Sequence, residues 1–478
     1  MFGNRRSTRA PGSRPGFRRV GMRQPGRHRA ALVAGVGAAS LMLTVSGCAG
    51  FGNLGNQPGV TTITLASVNN PQMQDLATLL PEFEKAHPDI KVNVIMMEEN
   101  DLRNATTKDV ATRGGQYDVM TVGAYEVPMW GRNGWLTDLT AKAKADPSYD
   151  VNDFFKPVQQ SVSYDNRIYA APFYGESSFL MYRKDLFQKA GLTMPAHPTW
   201  QQVAQLAAKL KDPSQDRAGI CLRGKPGWGE QFAPLTTVVN TFGGQWYNMS
   251  WDAQVNKPGF SNAVNFYVNT IKQSGERDPA SFGFTECLNL FQQGRAAMWY
   301  DATSAAGTLE TKGSPVAGKV GYVSAPVVKT KESGWLWTWN LAINSLSKHQ
   351  QADWEFVKWA TSKQYEELVG QRLGWARVPP GTRQSLYANP QYQQASSAFA
   401  GLTAQTLRSV DPTHPGVDPQ PWTGIQFVGI PEFQDVGNQT SQQIANTFSG
   451  GESVADALDK GQRIAQIAGD TQKREAGK

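Results

Sequence analysis

The acidic and guanidinium side chains of this 478-residue sequence recur in short stretches that are also rich in aromatic residues and glycine. Tyr174 and Glu176 lie in Pro-Phe-Tyr-Gly-Glu (172–176). Arg223 and Glu230 bracket a turn-rich run in which Trp228 stands between Gly227 and Gly229. Asp301 follows Met298-Trp299-Tyr300, Trp246-Tyr247 follows Gly243-Gly244, and Trp335, Trp337 and Trp339 alternate over five residues. A carboxylate accepts hydroxyl protons, and a guanidinium offers five N–H donors in a rigid fork. An indole covers C–H surface. Together these groups suit an uncharged ligand with many hydroxyls, held by a few convergent polar groups in an otherwise apolar site. Period-two alternation puts the three indoles on one face of a strand, where core packing would explain them equally well. Glycine-bounded turns, by contrast, are surface features.

Asn69 and Asn70 join the candidates because they follow the first predicted strand, where ligand loops begin in open α/β sheets. Glu98, Tyr125, Trp299, Trp375 and Arg377 complete the set, each with a packing or surface role as the alternative. Two carboxylates drawn from Glu98, Glu176, Glu230 and Asp301 could instead serve a glycoside hydrolase, if they stood roughly 5–10 Å apart with one pKa raised. A surface lectin would show repeats or an all-β pattern, and neither is visible. Outside the first 48 residues the histidines are His87, His197, His349 and His414; they form no HExxH or paired-ligand spacing, so no metal is expected. Gly313–Val320 (GSPVAGKV) imitates a phosphate-binding loop, but Val320 stands where Ser or Thr must hold magnesium, and a strand follows where a helix should open. No G-x-S-x-G occurs. Nothing calls for a cofactor.

These residues must be positioned by elements that begin after a leader. Nine of the 47 basic residues, all arginines from Arg5 to Arg29, precede any acidic one, which leaves 38 basic against 40 acidic residues in the remainder. The basic pI therefore belongs to the leader and is no sign of nucleic-acid binding. The apolar run Ala30–Val45 is shorter than the roughly 20 residues of a spanning helix and reads as a signal peptide. It ends in Val-Ser-Gly-Cys, which resembles a bacterial lipobox with Cys48 as the lipidated residue; a signal anchor is the alternative. Arg18-Arg19 leaves the export route, general or twin-arginine, open. Residues 48–60 suit a flexible tether. Thr62–Ala66, Val92–Met96 and Tyr117–Thr121 read as strands. Met73, Leu76, Leu79, Leu80 and Phe83 form a helical stripe between the first two, with Pro81 marking a kink or a new start. Parallel βαβ units follow from that order. Thr199 and Gln202 form a capping box, and further helices are expected over Ala352–Leu368 and Ser453–Ile467. Cys221 and Cys287, an even pair in an exported chain, favour a disulfide over two free thiols.

Five segments, in order, resemble the family 1 extracellular solute-binding proteins of ABC importers: Phe83–Val92, Tyr117–Trp130, Ala171–Leu192, Phe291–Thr303 and Trp335–Ile343. The wording CLRGKPGWGE, YGESS and VPPGTR is most similar to the branch that binds mannitol and sorbitol. The resemblance covers about residues 60–470. It implies an α/β, two-lobed periplasmic-binding-protein-like fold with a hinge and an interlobe cleft. Crossings are placed near Ser177, Ala325 and Val378, giving lobe 1 as 61–177 plus 326–378, lobe 2 as 178–325 plus 379–470, and a tail at 471–478. It also implies a monomer without catalysis that captures a small polyol or sugar and delivers it to separate permease subunits from the outer face of the cytoplasmic membrane.

Overall fold

The computed structural model describes residues 59–477; the leader, Cys48 and all but the last two tether residues lie outside them. Two sheets organise the described chain. The larger is ordered β2-β1-β3-β10-β6 and the smaller β8-β7-β9, with a separate hairpin of β4 and β5. The strands are β1 Thr61–Val68, β2 Ile90–Met97, β3 Val119–Gly123, β4 Ser163–Tyr164, β5 Arg167–Ile168, β6 Ala171–Glu176, β7 Ser178–Arg183, β8 Met298–Ala302, β9 Val320–Ser324 and β10 Trp337–Ile343. β1 pairs in parallel with β2 (Thr61 opposite Ile90) and with β3 (Leu65 opposite Val119), as the βαβ reading requires. β10 then inserts antiparallel between β3 and β6. The smaller sheet is antiparallel throughout.

Local pattern and burial account for the first units. α1 (Pro71–Ala86) buries Met73, Leu76, Leu79, Leu80 and Phe83 against the larger sheet. Pro81 sits inside this helix and neither ends nor restarts it, because Leu80 and Phe83 on either side are anchored in the core and packing overrides the lost hydrogen bond. α2 (Glu99–Ala111) and α3 (Glu126–Arg132) follow β2 and β3, so their first residues lie at the carboxyl ends of those strands. The capping box at Thr199 forms, with Gln202 reciprocating at 2.8 Å. The helix expected over 352–368 is two, Gln350–Ala360 and Lys363–Arg372, because Ser362 leaves the helix and caps the Tyr365 amide at 3.1 Å. The supposed tail is helical to Ala476, within a final helix Val454–Ala476. Lys473 pairs with Asp252 at 2.6 Å and holds its end down.

The chain passes from the larger to the smaller sheet through Ser177 alone, between β6 and β7. The return expected near Ala325 comes later. Val327 and Lys329 still donate to Pro198 and Thr241 of the second lobe, and the passage falls at Gly334–Leu336 beside Ser177. The crossing expected near Val378 is also displaced. Arg383 donates to the carbonyls of Tyr149 and Thr361, and Phe155 donates to Thr382, so 379–388 stay with the first lobe. That segment rests on β6 through Gly175 and Gly381, whose backbones approach too closely for a Cβ on either; Gly381 has φ +78°. The chain rejoins the second lobe around Phe399, which packs on Tyr322 at 5.7 Å. Gly313–Val320 makes turns that run into β9, as its rejection as a phosphate loop required.

Candidate functional site

Between the two sheets lies a cavity of about 390 Å³. The first lobe supplies Asn70 at the head of α1, Glu99 and Arg103 on α2, Glu176 at the end of β6, and Trp337 and Trp339 on β10. Arg223, Trp228, Gly229, Ala233, Phe284 and Gln426 come from the second lobe, and Trp335 from the crossing beside it. A disulfide between Cys221 and Cys287, with Cα atoms 5.7 Å apart, ties the segment that carries Arg223 to the helix Phe284–Gln292 that carries Phe284.

Arg223 is fixed by four hydrogen bonds to three residues. Nε and Nη2 donate to the two carboxylate oxygens of Asp301 at 2.8 and 2.5 Å, and Nη1 donates to Gly229 O at 3.0 Å and to Glu230 at 3.3 Å. Asp301 in turn accepts the Trp299 indole N–H at 3.0 Å. Burial works against the Arg223 charge, but Asp301 and then Glu230 more than offset it, so the guanidinium stays charged. Glu230 is itself pushed up by burial against the pull of Arg223, and it accepts the Phe284 amide at 2.9 Å. Glu176 is also raised by burial, to about 8, despite a bond from Ser304 Oγ and the nearby Arg223. At neutral pH it is mainly a protonated acid that can donate as well as accept.

A second guanidinium forms the opposite wall. Arg103 bonds to Glu99 at 2.8 Å and to Glu126, and is only 4% exposed. Its Cζ lies over the rings of Trp228, Trp337 and Trp339 at 4.2, 5.0 and 4.8 Å. The indoles are not parallel plates: Trp228 and Trp337 meet at 71°, Trp337 and Trp339 at 81°. Every guanidinium in the cavity thus has carboxylate partners, and the space they enclose carries no uncompensated ion. Three buried polar atoms on its walls have no partner: Nε1 of Trp228, Nε1 of Trp335 and Oε1 of Gln426. Buried polar groups are normally bonded, so these two donors and one acceptor are unused bonding capacity among the lining residues.

The lobes are closed on each other. Lys225 of the second lobe pairs with Glu98 of the first at 2.5 Å, Asn100 Nδ2 donates to Pro226 O at 3.2 Å, and Tyr125 Oη donates to Ile430 O at 2.9 Å. Near the hinge, Gln72 Nε2 donates to Ser304 O at 3.0 Å. Glycines at 227 and 229 let the Trp228 loop settle on α2: a Cβ on either would lie within 3.0 Å of Asn100 or Glu99.

Of the residues singled out from the sequence, Asn70, Glu176, Arg223, Trp228, Trp337 and Trp339 line the cavity. Tyr174, Glu230 and Asp301 stand directly behind it; the Tyr174 hydroxyl accepts from Asn70 Nδ2 at 2.7 Å. Glu98 and Tyr125 are lobe-to-lobe contacts at the rim. Five are elsewhere. Asn69 is exposed and bonds Gln74, because only Asn70 turns inward at the helix start. Trp246 packs in the second lobe's core on Phe232, Phe260 and Phe433. Trp299 shares a face of β8 with Asp301 but is packed between Phe284 and Phe291, behind the residues that line the cavity. Trp375 packs on Gly370, and Arg377 forks onto Asp75 at 2.9 Å outside the cavity. The sequence reading missed Glu99, Arg103, Gly229, Ala233, Phe284 and Gln426. Trp335 was visible in the indole ladder but not carried among the candidates. Among the described residues no cluster is arranged to hold a metal ion, and no helix is long and apolar enough to cross a membrane.

Residues 67–367 match the family described as bacterial extracellular solute-binding protein. A mannitol-binding protein of Pseudomonas aeruginosa is 43% identical over 402 residues, covering 84% of this chain and 91% of that one. Two crystal structures of ABC transporter solute-binding proteins superpose closely. The one from Agrobacterium vitis, with bound D-mannitol, has a TM-score of 0.83 and 47% identity over 87% of this chain and 99% of its own. The one from Agrobacterium radiobacter, with ribitol, has a TM-score of 0.76 and 26% identity over 86% and 100%.

Proposed function

Because this chain belongs to the bacterial extracellular solute-binding proteins, we propose that it captures a small acyclic polyol, a hexitol such as mannitol foremost, and hands it to the membrane subunits of an ABC importer. The observation that carries this reading is an interlobe cavity in which every charge is internally paired while lining residues keep unbonded donors and an unbonded acceptor. An ionic solute would meet no free counter-charge there; a hydroxyl-rich neutral one completes the bonds. Indoles set at steep angles wrap a rod-like carbon chain from several sides, whereas a flat pyranose face calls for one broad plate. The two relatives of highest identity named above bear on the same choice, one called mannitol-binding and the other holding D-mannitol.

Closure is the working step. An open form offers the polyol one lobe, and shutting completes the contacts and presents both lobes together to the importer. Lipidated Cys48 and residues 48–60 are the proposed anchor and tether on the outer face of the membrane, and the chain acts as a monomer. Hydrolysis is the alternative role for the buried carboxyls. Isothermal titration of the exported domain with hexitols, pentitols, monosaccharides and disaccharides tests the first reading. Mannitol at one hundred times its dissociation constant should add about 2.7 kcal/mol of stability. Indifference to every polyol, with a response to oligosaccharides or peptides, would overturn it. Recovery of unchanged labelled ligand after long incubation separates binding from hydrolysis.

A further inference from the structure

The cavity is not the only space between the lobes. A groove of about 1,820 Å³ lies just outside it, with Trp251 and Trp422 on one side and Met129, Gln160 and Ser161 on the other. Two short segments divide the two spaces and show alternate residues to each. Trp335 and Trp337 face the cavity while Leu336 faces the groove; Gln426 faces the cavity while Ile425 and Phe427 face the groove. Gln426 Nε2 donates to Leu336 O at 3.0 Å and fastens the segments edge to edge. The partition is one chain thick. Its gap is filled by the half-buried Phe427, whose ring stands 5.5 Å from Tyr125, 6.2 Å from Trp228 and 5.8 Å from Trp337.

We propose that Phe427 is the residue that sets ligand length, closing the end of the cavity so that a single polyol chain fits and a polyol bearing one more sugar unit is refused. This deepens the polyol reading and rests on it. In the shut form Tyr125 of the first lobe holds the chain just beyond Phe427, donating to Ile430 O at 2.9 Å and accepting the Gln434 amide at 3.2 Å, and its ring packs on Phe427. An extra unit would occupy the place of the Phe427 ring and hold the lobes apart. Without that ring it would run into the groove, whose indoles, amide and hydroxyls are the groups a sugar needs.

The experiment is titration of wild type and Phe427→Ala with mannitol and with glucosyl-mannitol. Wild type should prefer mannitol by about 100-fold or more, and in F427A that preference should shrink at least about tenfold, through tighter binding of the glucosylated ligand. An F427A protein that binds mannitol with its preference unchanged would overturn the proposal. If F427A does not fold, as its thermal melt would show, Leu336→Ala thins the same partition and is judged by the same ratio. Failure of wild type to bind mannitol at all would instead sink the polyol reading on which this one stands.

Discussion

Replacing Gly229 by alanine should weaken ligand binding without weakening the unliganded fold. Gly229 lies in the Trp228 loop, and its backbone is not left-handed, so alanine brings no conformational strain. The added methyl would fall within 3.0 Å of the Glu99 carboxylate and stand 3.0 and 3.1 Å from Nε and Nη2 of Arg103. Both neighbours belong to the opposite lobe, and both are held rigidly by their mutual ion pair. Overpacking of this kind costs about 1–3 kcal/mol, borne by the closed form alone. Since each 1.4 kcal/mol is tenfold, the dissociation constant for mannitol should rise by about 5- to 150-fold. Unliganded unfolding should move by less than about 0.5 kcal/mol, as for an exposed site. Titration calorimetry gives the first quantity and urea unfolding without ligand the second. An unchanged dissociation constant would refute the reasoning, as would an unliganded loss as large as the loss of affinity. Gly227→Ala is the contrast: at φ +140° it should damage the unliganded protein as well.

Three other outcomes follow from the same geometry. Asp301→Asn removes the bidentate partner of a guanidinium that is 4% exposed, and should cost about 3–5 kcal/mol in urea unfolding; a loss below about 1 kcal/mol would mean that Glu230 suffices. Glu276 has both carboxylate oxygens buried with no side-chain partner, and burial raises its pKa to about 8 from 4.5 against the pull of nearby backbone amides. The folded state thus keeps a proton that the unfolded chain releases, and stability falls as pH rises from about 4.5 to about 8. Glu276→Gln should therefore stabilise by about 4 kcal/mol more at pH 8 than at pH 4.5, and an equal effect at both would contradict the assignment. Reducing the Cys221–Cys287 bond, which spans 66 residues, should lower stability by about 4 kcal/mol through loop entropy and weaken mannitol binding, because Arg223 and Phe284 flank it. Paired denaturation and titration with and without reductant would show whether both occur.

What could be read from the sequence was what depends on near neighbours along the chain. The α1 stripe, the Thr199 capping box and the first βαβ units follow from periodicity and caps, and the structure contains them. Pro81 and the division at Ser362 were decided by burial and by a competing cap, which local pattern does not weigh. The crossings at Gly334–Leu336 and beyond residue 388 depend on pairings of residues 329 with 241 and 383 with 149, and separations of that order leave no local mark. Trp228, Arg223 and Glu176 stood out because glycines or aromatics surround them. Arg103 did not: Glu99 and Arg103 four apart on a polar helix look like a surface ion pair, and only the lobe that shuts over them removes the water. The indole ladder was legible as a pattern, but not that three ring faces would turn to a guanidinium.

Glu176 borders the cavity and is also the last residue before Ser177, the single residue that joins β6 to β7. Its side chain receives a bond from Ser304 of the opposite lobe. A guest that touches this acid therefore touches the pivot itself, and escape and reopening draw on the same few bonds. Residence time would then be set at the joint, and a substitution there would change how long cargo is carried more than how fast it is caught.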